Sequence, residues 1–119
     1  MSEHECRIDY LEFPAVDLEA IKRFYRQVFG WTFTDYGPDY SSFHDGRISG
    51  GFWKSSAVAA AGTGVLVVIY SAKLQSVLDA VVAAGGTVTR EPFEFPGGRR
   101  FEFSDPSGNR LAVWTDLPG

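Results

Sequence analysis

The chain has 119 residues, 45% hydrophobic and 22% charged, which suits one globular domain with its own core and excludes an intrinsically disordered chain. Its net charge of -4, with Lys22-Arg23 and Arg99-Arg100 as isolated basic pairs, excludes a nucleic-acid footprint. A single cysteine, Cys6, excludes an internal disulfide, and no apolar run is long enough to span a bilayer.

The first element in chain order is a strand over Ile8 to Phe13, with Ile8, Tyr10 and Glu12 on one face and Leu11 and Phe13 on the other. Asp17 is a good N-cap, and Leu18, Ile21, Phe24, Tyr25, Val28 and Phe29 recur at helical spacing up to Gly30, the expected stop. Strands are expected at Trp31 to Thr34, Tyr40 to Phe43 and Ile48 to Lys54, separated by the Gly37-Pro38-Asp39 and Asp45-Gly46 turns. The stretch from Ser55 to Gly64 is rich in alanine and bounded by glycine, and reads as a linker.

The pattern then restarts. Val65 to Tyr70 reads as a buried strand, and Ala72 to Ala84 as a helix with Leu74, Val77, Leu78, Val81 and Val82 inward and Gly85 as its stop. Gly86 to Thr89 parallels Trp31 to Thr34. After the Pro96-Gly97-Gly98 turn come strands at Arg99 to Ser104 and Arg110 to Thr115, joined by the tight turn Asp105-Pro106-Ser107-Gly108. The order is βαβββ followed by βαβββ. It predicts an α+β fold in one domain over residues 1–119, with halves at 7–54 and 65–116 and a linker at 55–64. Each unit leaves one sheet face uncovered by its helix, so two units can cover each other or enclose a cavity. The polar start Met1-Ser2-Glu3-His4-Glu5 lacks the apolar core of a signal peptide, and the expected location is the cytoplasm.

The segment from Ile8 to Leu18, followed by Phe24-Tyr25 and Val28-Phe29-Gly30-Trp31, resembles the opening of the glyoxalase/bleomycin resistance/extradiol dioxygenase (vicinal oxygen chelate) superfamily. Asp105-Pro106-Ser107-Gly108-Asn109 resembles the turn that precedes its last strand, and Ala84-Gly85-Gly86-Thr87-Val88 the exit from its second helix. Ile48-Ser49-Gly50-Gly51 and Leu111-Ala112-Val113-Trp114 are similar to the short bacterial group related to lactoylglutathione lyase. The resemblance implies paired βαβββ modules forming a cupped mixed sheet, a small molecule bound in the cup, and a homodimer.

In metal-dependent members the resemblance implies His or Glu ligands on the first and fourth strands of each half, where a divalent ion polarises a substrate oxygen. The matching positions here are Tyr10, Leu66, Ala112 and the Gly50 to Trp53 stretch, which hold one phenol and no imidazole or carboxylate. His4 falls in the expected tail and His44 beside a turn. No cofactor is therefore expected; a divalent metal on a non-standard Glu12 and Glu102 pair is the remaining alternative. Strand parity places Tyr10, Glu12, Trp53, Arg100, Glu102 and Trp114 on the cup face, as aromatic walls with a few polar groups. Arg100 is the expected anchor for an anionic ligand, since a guanidinium matches carboxylate geometry. A competing reading pairs Glu12 with Arg100 as a structural ion pair and buries Trp53 and Trp114 in a dimer interface. No catalytic residue is identified. Three functions remain open: a metal-free binding protein, a lyase, isomerase or dioxygenase relative with metal-free or unusual metal chemistry, and a structural dimer with a vestigial cup.

Overall fold

The helical spacing of residues 18–29 becomes α1 (Leu18–Phe29) in the computed structural model, which describes residues 5–6, 8–56 and 65–117. Asp17 caps it, its Oδ1 accepting the Ala20 N–H at 3.1 Å. Gly30 ends it in the left-handed region with φ 72°, where its N–H reaches the Arg26 carbonyl. Around α1 stand β1 (Tyr10–Ala15), β2 (Thr32–Asp35), β3 (Tyr40–His44) and β4 (Ser49–Lys54). The second half repeats the order with β5 (Val67–Tyr70), α2 (Leu74–Ala83), β6 (Thr87–Phe95), β7 (Gly98–Ser104) and β8 (Arg110–Thr115). His4 and residues 57–64 of the expected linker lie outside the described residues.

Each half makes a four-stranded mixed sheet with the same connectivity, β1-β4-β3-β2 and β5-β8-β7-β6. The β1–β4 and β5–β8 pairs are parallel, and the others are antiparallel. The expected α+β class with two βαβββ modules is the architecture found. One core joins the halves: Phe43 and Phe52 from the first sheet, Phe101, Phe103, Leu111 and Val113 from the second, and buried residues of both helices belong to one cluster. Phe24 of α1 lies 6.1 Å from Phe103 of β7, so α1 packs on both sheets. Alternation along each strand sends the other face of each sheet outward.

The Asp105–Asn109 turn fastens the second half to the first. Asp105 Oδ1 accepts the Ser107 and Asn109 backbone N–H groups, both at 2.9 Å. Its Oδ2 accepts the Tyr25 hydroxyl at 2.9 Å and the Asn109 amide at 3.0 Å. Asn109 also donates to the Pro14 carbonyl at 2.8 Å, and Ser107 Oγ accepts the Val16 N–H at 2.9 Å. The turn thus satisfies backbone groups where β1 leads into α1, which elsewhere would be left to water.

Two expectations about burial need correction. Val65 to Tyr70 is not a buried strand: β5 is the edge of its sheet, and Val68 and Tyr70 on its outward face are 42% and 50% exposed. Val82 points away from the stripe through which Leu74, Leu78 and Val81 pack, and is 56% exposed. Hydrophobicity alone placed both inside, but one-sided packing decides. The first strand also begins later than expected, at Tyr10.

Candidate functional site

Cross-strand partners share a face, so register fixes which side chains look outward together. On the first sheet, Glu12 pairs with Gly51 and Gly51 with Ser42, while Trp53 pairs with Pro14 and Tyr40. Tyr10, Glu12, Tyr40, Ser42 and Trp53 therefore occupy one outward face. Gly51 makes the arrangement possible: a Cβ there would overlap the Tyr40 hydroxyl and ring, so Tyr40 lies across the strand and reaches β1. Its hydroxyl donates to Glu12 Oε2 at 2.8 Å and stands 2.6 Å from the Tyr10 hydroxyl. Tyr10 also reaches Ser42 Oγ at 3.4 Å, and Ser42 donates to the Gly50 carbonyl at 2.9 Å. Burial, then the bonds to Tyr10 and Glu12, hold the Tyr40 phenol well above its ordinary pKa of 10.0, so it keeps its proton.

On the second sheet, Glu102 pairs with Ala112 and with Arg90, and Arg100 with Trp114 and Phe93. Glu102 is only 4% exposed. Its two oxygens accept Arg110 Nη2 at 2.7 Å and Arg100 Nη2 at 3.2 Å. Burial pushes its carboxyl upward, but the Arg110 bond and the charges of Arg110, Arg100 and Arg90 win and hold it below the ordinary 4.5. The Arg100 Nε–H is buried and has no acceptor among the described residues. Its guanidinium lies 5.4 Å from the Phe93 ring centre and 6.0 Å from that of Phe95. Beside it, Val68, Phe95, Arg100 and Trp114 line a depression of about 260 Å³. The Trp114 wall is braced by Phe95 at 6.4 Å and Tyr70 at 5.4 Å.

The six residues expected to line the cup come from both sheets. Tyr10, Glu12 and Trp53 stand on the first sheet, and Arg100, Glu102 and Trp114 on the second, each set with partners on its own sheet. The alternative Glu12–Arg100 ion pair is not formed, since Glu12 is held by Tyr40 and Arg100 by Glu102. Sequence reading missed Tyr40, Ser42 and Phe95 as members of these groups. The Gly50-Gly51 pair inside a strand was a usable signal, because a strand glycine often marks the close approach of another group.

The residues at the superfamily's ligand positions do not fit a divalent metal. The Tyr10 phenol is engaged with Tyr40, Gly51 is covered by the same side chain, and Ala112 is fully buried. Among the described residues no three His, Cys, Asp or Glu side chains come together in a way that could hold an ion. His44 shares the outward face of the first sheet, but its Nδ1 contacts Ser49 Oγ at 2.9 Å. No helix of the described residues is long and apolar enough to cross a membrane.

The family model of the Glyoxalase/Bleomycin resistance protein/Dioxygenase superfamily matches residues 7–113. No curated protein matches the chain. Among solved structures, a glyoxalase/bleomycin resistance protein/dioxygenase family enzyme from Burkholderia phytofirmans superimposes with a TM-score of 0.80 at 21% identity, covering 92% of this chain and 100% of that one. A glyoxalase-related enzyme from Fulvimarina pelagi gives 0.78 at 21%, covering 92% and 88%. The fosfomycin resistance protein FosX from Mesorhizobium loti gives 0.76 at 21%, covering 97% and 93%. At such identities the likeness is one of fold.

Proposed function

Since the chain belongs to the Glyoxalase/Bleomycin resistance protein/Dioxygenase superfamily, we propose that it is a binding protein of that scaffold which takes a small anionic, partly aromatic molecule without a metal. The observation that carries this reading is the depression lined by Val68, Phe95, Arg100 and Trp114. An arginine set beside aromatic walls suits a planar ring bearing a carboxylate. Glu102 holds Arg100 through one oxygen and Arg110 through the other, which fixes where the Arg100 guanidinium stands. The reading includes a cytoplasmic protein and a homodimer, as the family resemblance implies.

A thermal-shift series tests it. Benzoate should raise the melting temperature and benzamide should not. A ligand at a hundred times its Kd stabilises by about 2.7 kcal/mol, enough for a clear shift. Arg100→Ala should abolish the response to benzoate. Equal shifts from the acid and the amide, or an unchanged response in the variant, refute the anion site. Sedimentation velocity checks the dimer.

A further inference from the structure

The outward face of the first sheet differs in polarity from the second. By register it carries Glu12 as its carboxylate and no lysine or arginine. Glu12 has no cationic partner among the described residues; the Tyr40 hydroxyl is what it accepts. The proton directions in this cluster are fixed by elimination. Tyr40 has one hydroxyl proton, and Glu12 takes it at 2.8 Å. In the 2.6 Å contact between the phenols, Tyr10 must then be the donor. Ser42 gives its own proton to the Gly50 carbonyl, so it has none to offer Tyr10, and with the Tyr10 proton committed to Tyr40 at 2.6 Å the 3.4 Å Tyr10–Ser42 approach is no more than a weak contact.

All three hydroxyl protons therefore run inward along the chain Tyr10, Tyr40, Glu12 and from Ser42 to the backbone. What the cluster still offers outward is acceptor capacity: the second oxygen of Glu12 and the lone pairs of Tyr10 Oη. A ligand that satisfies these atoms has to donate. An ammonium group brings three donors and a compact positive charge. Trp53 and Tyr10, 41% and 42% exposed, stand on the same face, and aromatic faces attract cations.

We propose that this face binds an organic ammonium group, with the Glu12 carboxylate and the Tyr10 oxygen accepting its N–H protons and the rings of Trp53 and Tyr10 flanking its hydrocarbon part. Tyr40 is a positioning residue, holding both acceptors in place across Gly51. It differs from the anion depression in the sheet that carries it and in the charge it selects.

Nuclear magnetic resonance titration of the full chain with benzylammonium, against benzyl alcohol as the neutral analogue, tests it. Benzylammonium should shift the Trp53 indole and the β1 and β4 amides saturably, and benzyl alcohol should leave them unmoved. Glu12→Gln should weaken the binding about tenfold. Tyr10→Phe, which keeps the ring and removes the acceptor, should weaken it less. Arg100→Ala should leave it unchanged, which separates this site from the anion site. Equal binding of amine and alcohol, or undiminished affinity in Glu12→Gln, overturns the proposal. Should Glu12→Gln not fold, the wild-type salt response decides: affinity that does not fall with added salt also overturns it.

Discussion

Tyr25→Phe isolates one hydrogen bond between the halves. The Tyr25 ring is fully buried, 4.5 Å from Trp31, 5.0 Å from Phe24 and 5.2 Å from Phe52. Phenylalanine keeps that packing and removes only the hydroxyl that donates to Asp105 at 2.9 Å. Asp105 Oδ2 then drops from two donors to one, the Asn109 amide at 3.0 Å. At 4% exposure, water cannot freely replace the lost donor. A hydrogen bond to a carboxylate is worth about 1.5–3 kcal/mol, so a loss near the middle, about 2 kcal/mol, is expected. For a chain of this length that lowers the melting temperature by about 8 °C. Urea unfolding followed by tryptophan fluorescence should show a lower midpoint with an unchanged slope.

The loss should also depend on pH. Burial pushes the Asp105 carboxyl above its ordinary 3.8, while the bonds from Asn109, Tyr25 and Ser107 pull it down. Between the unfolded value and the raised folded one, the native state binds more protons than the unfolded chain, so stability falls as pH rises through that window. Removing the Tyr25 donor widens the window. The deficit of the variant should therefore be smallest in acid and reach its full size above the folded pKa. A loss below about 0.5 kcal/mol near neutral pH would refute the view that this turn fastens the halves through Tyr25.

Glu102→Gln should destabilise the fold by about 2–3 kcal/mol, less than a fully buried pair would cost, because Arg100 and Arg110 keep nearly a third of their side-chain exposure. In the wild type the Glu102 contribution is present above its unfolded pKa, near 4.5, and is lost as pH falls through its depressed folded value; acid unfolding of the variant should lack that component. Gly51→Ala should push the Tyr40 ring off β4 and break its bond to Glu12. A spectrophotometric titration should then show one tyrosine moving down toward the ordinary 10.0, and an unchanged titration would count against Gly51 as the reason for that contact.

How much was legible in the sequence differs between fold and site. The periods of apolar residues, the cap at Asp17 and the stops at Gly30 and Gly85 are local signals, and they placed the elements and their repeated order. The second helix ran close to its observed span for the same reason. Parity along single strands correctly set Glu102 and Arg100 opposite Phe101 and Phe103, because alternation is a property of one strand.

Register and packing were not legible in this way. That Tyr40 crosses Gly51 to hold Glu12 follows from the pairing of β3 with β4 and of β4 with β1, contacts between positions far apart in the chain. That β5 is an edge strand with Val68 and Tyr70 exposed depends on sheet order, which its own composition does not encode. Which partners the cup-face residues find is likewise a matter of pairing between strands, Glu12 meeting Tyr40 and Glu102 meeting Arg110. The sequence by itself determined which side chains alternate outward on each strand; only the tertiary structure decided which of them meet, because hydrogen-bond register and shared burial are set between strands rather than along them.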